Sequence, residues 1–345
     1  MAQFLLYQQA VDQKKNIENQ YVAITANENS TFALTYKALG ISVDLQYSKD
    51  KTNWSSYSNE ISINQGQTLY LKGNNPDGWS QSRTVYSYLS IIGSVSINGN
   101  VMGLLDNGAK PGEEGDITTI PCDYCFIGLF ENSTGIESVS EDFLPATTLA
   151  YGCYVGMFDG CTSLTAGPEL PATTLTNGCY AYMFSSCSSL TVAPELPATS
   201  LEDGCYYSMF ENCTSLTTAP ELPATNLKQD CYSGMFYQCT SLTNAPKLSS
   251  MSLAVSCYQH MFNGCASLTT APELPATTLA DNCYRYMFYK CSSFNSIKIG
   301  YTGDYSDTYF NNWVTGVASS GTFYYNDNQT AQKFQLPTDW TKHSF

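Results

Sequence analysis

The chain has 345 residues, 43% apolar and only 13% charged, with a formal net charge of −15. That length suffices for two domains or one extended array with a buried core, and the scarcity of charge leaves Ser, Thr, Asn, Gln and Tyr to solvate the surface. So acidic a chain excludes nucleic acid as a partner, where cation–phosphate contacts dominate affinity, and equally disfavours docking on an anionic membrane.

In chain order, the opening MAQFLLYQQAVDQKKNIENQ has no basic n-region, and its apolar run FLLY is too short for a signal peptide. No stretch approaches the roughly eighteen apolar residues of a membrane span. The expectation is a chain without visible means of Sec export or anchoring. Residues 1–118 are expected to form a β-rich N-terminal domain. Val43, Leu45 and Tyr47 alternate, as do Ile61 with Ile63 and Val95 with Ile97. In SINGNV, Asn98-Gly99 lies between two such runs and predicts a hairpin. GAKPGEEGD (108–116) reads as a turn-rich acidic hinge.

A repeat follows over 119–298. Leu144, Leu170, Leu196, Leu222, Leu248 and Leu274 recur every 26 residues, with Cys153 through Cys283 and Cys161 through Cys291 in the same phase. A degenerate unit precedes these six, with Cys125 in the first column and Ser133 where the second cysteine belongs; that is how a capping repeat behaves. Cys153, Met157, Cys161 and Leu164, at i, i+4, i+8 and i+11, predict one apolar face of a two-turn helix. Gly152 and its equivalents suit its N-cap, and Gly160, Asn212 and Gly264 its left-handed C-cap, with Gln238 and Lys290 fitting less well. A short extended piece and a Pro-punctuated return such as PELPATNL complete the unit. Tyr154 and its equivalents would lie on the helix flank and meet Phe158 and its equivalents at i+4.

On such a helix, Cys153 and Cys161 would stand about 12 Å apart, beyond the roughly 7 Å that a disulfide allows. C-x7-C also lacks the knuckle spacing of a zinc site. Buried free thiols acting as small apolar residues are the leading reading, with inter-repeat disulfides and metal as the alternatives. Cys122 and Cys125 form a lone C-x-x-C without the βαβ context of a redox site. Residues 299–345, with aromatic-rich YTGDYSDTYF, are expected to close the end of the last repeat.

The phrase GCYxxMFxxCxSLTxAPELPATxL resembles the 26-residue variety of BspA-like leucine-rich repeats, which occur in surface and virion proteins of gut bacteria, mycoplasmas and their phages. The resemblance covers 119–298 through six full units. It extends more weakly to LQYSKDKTNWSSYS and SINGNVMGLLDNG before them, and to NNWVTGVASSGTFYYN and LPTDW after them. It implies a solenoid engaged in adhesion. The expected fold is α+β: a β-rich N-terminal domain (1–118), a leucine-rich-repeat solenoid with a short helix and a short strand per repeat (119–298), and a small C-terminal cap (299–345).

No Walker A loop, dinucleotide fingerprint or G-x-S-x-G elbow is present, and the two histidines, His260 and His343, stand apart from any repeated chemistry. The chain is read as non-enzymatic, calling for no cofactor and no metal; a glycan-degrading enzyme is a distant third reading. Two surface columns are candidates for binding. Glu169, Glu195, Glu221 and Glu273, with Lys247 in the fifth place, form an acidic stripe, read as solvated or, more sharply, as a cation stripe. At a strand-like spacing of about 5 Å, each neighbouring pair would repel by roughly 0.8 kcal/mol in bulk water. Tyr182, Tyr207, Tyr237, Tyr286 and Tyr289 stand where other units carry Ser, Gly, Asp or Asn, and exposed Tyr among Ser, Asn and Gly is the composition of an adaptable binding surface. The expected role is a phage virion protein of fibre or decoration type, or alternatively a bacterial surface adhesin. Its expected partners are a host-surface glycan or protein and, through the N-terminal domain, other virion proteins; a homo-oligomer is admitted.

Overall fold

A computed structural model describes residues 21–37, 42–105, 118–326 and 334–345. The expected hinge at 108–116 lies outside the described residues, as do residues 1–20. The N-terminal part is built of β1 (Val22–Ala26), β2 (Ser30–Tyr36), β3 (Gln46–Ser48), β4 (Ser55–Ser56), β5 (Ile61–Ile63), β6 (Thr68–Lys72), β7 (Ser80–Ser82), β8 (Val85–Ile92) and β9 (Val95–Gly99). Period-two patterning sets which face each strand buries: Val22, Ile24 and Ala26 in β1, Ile61 and Ile63 in β5, and Val95 and Ile97 in β9 all point inward. β5-β2-β8-β7 forms one sheet. The other runs β9-β1-β6-β3-β4 and is extended at its β9 edge by β10 (Ile136–Val139), a strand contributed by the degenerate repeat.

The hairpin expected at Asn98-Gly99 is not formed. Asn98 and Gly99 pair with Ala23 and Val22 of β1. The Asn100 side chain then accepts from the Met102 amide and caps a 3-10 turn over Val101–Leu104. Gly99 takes φ +92°, and a Cβ there would collide with the Tyr21 carbonyl oxygen, so this glycine serves close backbone approach and not a two-residue loop.

The repeats also differ from expectation. No unit contains the predicted helix; residues such as 152–160 form a succession of turns. Their conformation recurs every four residues, with left-handed φ at Gly152, Gly156 and Gly160, at Gly178, Tyr182 and Ser186, and at Asp230, Gly234 and Gln238. A right-handed helix cannot pass through such positions. Amides of Cys153, Val155, Met157, Asp159 and Cys161 bond three residues back. Those of Tyr154, Gly156, Phe158 and Gly160 instead donate to Cys179, Ala181, Met183 and Ser185 of the next unit at 2.8–3.0 Å. Half of the peptides therefore close turns and the other half join neighbouring repeats. The i, i+4, i+8 spacing of Cys153, Met157 and Cys161 does place all three inside, because a four-residue period returns to one side more faithfully than 3.6 residues per turn. The expected strand of each unit shrinks to isolated parallel bridges, such as Thr174↔Ser200 and Thr218↔Asn244.

Side chains repeat the same alignment. Tyr154, Tyr180, Tyr206, Tyr232, Tyr258 and Tyr284 are buried and stack on one another with centroids 5.8–6.2 Å apart. They form a core ladder, not a flank meeting phenylalanines of their own unit. Phe130 through Phe288 form a second ladder at 5.5–5.8 Å. Burying each phenylalanine contributes roughly 1.5–3 kcal/mol.

All fourteen cysteines are free thiols, and all but Cys122 are buried. The second column has a polar task as well: Cys187, Cys213, Cys239, Cys265 and Cys291 each donate S–H to the phenylalanine carbonyl of the preceding unit at 3.0–3.1 Å. Ser133 replaces cysteine where the neighbour is strand β8, and its hydroxyl donates to Leu89 O at 2.6 Å while accepting from the Ile91 amide. Trp79 and Leu89 supply amides to the Cys125 and Leu129 carbonyls, so the N-terminal part offers the first unit what a preceding repeat would offer.

At the other end, β11 (Ser296–Ile299), β12 (Ser320–Tyr325) and β13 (Asp339–Ser344) form a parallel three-stranded sheet. Between β11 and β12, α1 (Asp307–Phe310) opens a segment that continues the array. Tyr284, Tyr286 and Phe288 donate to the carbonyls of Tyr309, Asn311 and Trp313, and Phe310 stacks on Tyr284 at 5.6 Å. No helix among the described residues is long and apolar enough to cross a membrane.

Burial raises the thiols of both columns, Cys179 and Cys291 to about 12, leaving them protonated and unreactive. Cys122 differs: a hydrogen bond from the Cys125 thiol lowers it, while the same contact and burial raise Cys125. Thiol titration is expected to find about one reactive group in the native protein, Cys122, and close to fourteen after denaturation without reductant. A denatured count of only about two would mean that the columns are bridged.

Candidate functional site

The turn side of the stack is where units differ. Backbone geometry there is constant, so each column of side chains is free to change without disturbing the ladder. One column reads Gly156, Tyr182, Ser208, Gly234, His260, Tyr286, and its neighbour reads Val155, Ala181, Tyr207, Ser233, Gln259, Arg285.

The five tyrosines singled out from the sequence all lie on this side, half-buried and not fully exposed. They fall into two groups. Tyr182 and Tyr207 meet at 5.3 Å with tilted rings. Tyr237, Tyr286 and Tyr289 gather around His260, which stacks face to face on Tyr286 at 4.9 Å and meets Tyr237 edge-on at 6.2 Å. Tyr289 stands edge-on to Tyr286 at 5.4 Å, Arg285 lies over the Tyr286 ring and Lys290 over that of Tyr289. Burial, and then the Arg285 charge, hold His260 below its ordinary value, so it is neutral at pH 7. Its Nδ1 is bonded to the Asn263 side chain at 3.0 Å. The histidine is thus an aromatic member of the cluster, with no cysteine partner there.

The first group belongs to a groove of about 420 Å³, within the range of small-ligand sites. Tyr124, Tyr151, Tyr182 and Tyr207 wall it, Asn177, Asp203 and Asp230 bring polar groups, and Arg83 reaches it from the N-terminal part. A Cβ at Gly178 would meet nothing within 4 Å, so the floor there is open. Asp230 occupies the same column at the end of the groove. Its carboxyl is raised, chiefly by burial. Tyr182 is raised by burial and by Tyr207 beside it. Arg83 and Tyr151 could not be assigned to this site from sequence, since neither shares a column with the tyrosines that vary.

The acidic stripe is elsewhere. Glu169, Glu195, Glu221 and Glu273 are exposed, and Glu273 pairs with Lys298 at 2.9 Å. Among the described residues, no group of three or more His, Cys, Asp or Glu side chains is placed to hold a metal ion.

One carboxyl is strained. Asp159 lies on the turn side in the column that later carries Tyr237 and Tyr289. Burial lifts it to about 6, reinforced by Glu131 and Glu211 and opposed by a hydrogen bond from Ser185. A group raised in the folded state stabilises most below its unfolded value near 3.9, and that stability is lost as pH rises through the folded value. Stability is therefore expected to fall between about pH 4 and pH 6 on account of Asp159. Asp159→Asn should flatten that decline and raise stability at pH 7 by about 1 kcal/mol, after allowance for solvent screening of a partly exposed group. Thermal melting from pH 4 to 7 checks this; an unchanged profile in the variant would show that the carboxylate is well solvated.

No family model, curated protein or solved structure matches the chain, so the reading of this face rests on its own chemistry.

Proposed function

We propose that the chain is a non-enzymatic structural protein of a phage virion, of fibre or decoration type, whose stacked repeats form a solenoid presenting a recognition surface to a host-surface glycan or protein. The observation that carries this reading is the division of tyrosines into two populations. One is a buried ladder that never changes from unit to unit; the other is a half-exposed set that changes in every unit and lies on one side. Residues needed for stacking are constant, so variable aromatics beside them are available for contact. Few charges and many neutral hydrogen-bonding groups suit recognition of neutral hydroxyl-rich or polar surfaces. The thiol columns, packed as apolar side chains, suit assembly in a reducing cytosol. The repeat phrase, with its resemblance to BspA-like virion and surface proteins, adds to the same reading. The N-terminal strands are the proposed attachment to other virion proteins.

The test replaces Tyr207, Tyr237, Tyr286 and Tyr289 together by Ser, in particles whose content of this chain is verified by mass spectrometry. Ser208 shows that serine is accepted at the left-handed position of Tyr286. Melting is expected to change little, and adsorption to host cells to fall at least tenfold, since a central aromatic contact contributes about 1–2 kcal/mol. Absence of the chain from purified particles, or full adsorption by the variant, would contradict the proposal.

A further inference from the structure

The groove of Tyr124, Tyr151, Tyr182, Tyr207 and Asp203 has a shape and chemistry that narrow its occupant. It draws on five successive units, from Tyr124 in the degenerate one to Asp230 in the fourth full one. With neighbouring units about 5.9 Å apart, its four intervals span about 24 Å along the stack. A compact ligand would touch only part of so drawn-out a lining, whereas a linear chain would meet it along its length.

The walls are aromatic faces and edges, which pack against the C–H faces of a sugar ring. Asn177 and Asp203 carry the amide and carboxylate groups that pair with vicinal hydroxyls, the carboxylate as acceptor and the amide as both donor and acceptor. Asp203 is already partly oriented, because its Oδ1 accepts from the Gln229 amide at 3.1 Å. The open floor at Gly178 lets a ring approach the backbone. Charge decides against an anionic chain: Asp203 and Asp230 stand in the groove opposite one arginine, on a protein of net charge −15. A peptide would find few deep apolar side pockets here; a polyol finds acceptors and stacking surfaces along the whole length.

We infer that this groove is a binding site for a linear, neutral oligosaccharide, lying along the stack with rings packed on Tyr151, Tyr182 and Tyr207 and hydroxyls bonded to Asn177 and Asp203. The inference rests on the recognition reading for the source of the sugar, and it assigns that recognition to the groove and not to the His260 cluster.

The array itself supplies substitutions that the fold accepts at these positions. Gly156 and Gly234 occupy the column of Tyr182, with the same left-handed backbone, Ser233 the column of Tyr207, and Asn177 that of Asp203. The test is calorimetric titration and saturation-transfer NMR on the full chain. The probes are neutral gluco-, galacto-, manno- and N-acetylhexosamine oligomers, with polygalacturonate oligomers as the anionic comparison. At least one neutral series is expected to bind, with affinity rising with chain length. The triple variant Tyr182→Gly, Tyr207→Ser, Asp203→Asn is expected to lose at least tenfold in affinity with an unchanged melting temperature. A second variant, Tyr237→Ser with Tyr286→Ser and Tyr289→Ser, should bind as the parent does. Absence of binding by every neutral series, preference for the anionic oligomers, or full binding by the triple variant would overturn the assignment. Adsorption lost only in the second variant would overturn the groove while leaving recognition by this face intact. Sugar binding in the groove by a chain whose variants all adsorb normally would do the reverse.

Discussion

The peptide groups that point along the stack are the constraint on which everything else depends. From Tyr154 to Gly160, every second amide is turned away from its own turn and toward the carbonyl of the residue 25 positions later. A buried peptide left without a partner costs several kcal/mol in an apolar setting, so each repeat must have a neighbour in register. That register in turn aligns equivalent side chains, and the parallel ring stacks of tyrosine and phenylalanine follow from it. The same requirement explains the two ends. Trp79 and Leu89 serve the carbonyls of the first unit, and the segment from Thr308 to Thr315 receives the amides of the last.

Holding alternate peptides in this orientation requires left-handed residues at intervals of four, a conformation that costs a non-glycine residue roughly 1–2 kcal/mol. Glycine, Asn, Asp and Ser fill most of these positions, yet Tyr182, His260 and Tyr286 are left-handed too. These three are the aromatic residues of the variable column, two at its His260 cluster and one in the groove. Local strain is tolerated there, as it is at Ser186, Gln238 and Lys290, by the over-determined ladder on either side.

Much of the molecule was legible in the sequence. The 26-residue period, the buried columns, the apolar role of the cysteines and the alternation in β5 and β9 follow from spacing and residue type alone, whereas the alternating run Val43, Leu45 and Tyr47 yields only the short strand Gln46–Ser48. The helix did not, because i, i+4, i+8 fits 3.6 residues per turn and a four-residue period almost equally well over nine residues. Glycine at 152, 156 and 160 is the available signal: Gly152 and Gly160 suit helix caps, but with Gly156 between them the three mark a repeating left-handed backbone. The tyrosine ladder was hidden for the same reason: a helix directs attention to partners within a unit, while the rings pair across units. The continuation of the array through Phe310 and Trp313 was masked by the replacement of its Cys and Met columns. Of the site, the variable tyrosines could be found by comparing units, but their division between the groove and the His260 cluster depends on which columns adjoin, and Arg83 enters from another part of the chain.

Because stacking uses one set of residues and the turn side another, the fold can change its contacts column by column at little cost to stability. That separation rests on the peptide ladder, which can be observed directly. In deuterated, isotopically labelled protein, scalar coupling across hydrogen bonds identifies the carbonyl that each amide faces. Coupling is expected of the Phe158 nitrogen to the Met183 carbonyl carbon and of the Phe184 nitrogen to that of Met209. Coupling of Phe158 to Tyr154 and of Phe184 to Tyr180, the helical partners four residues back, would contradict the ladder.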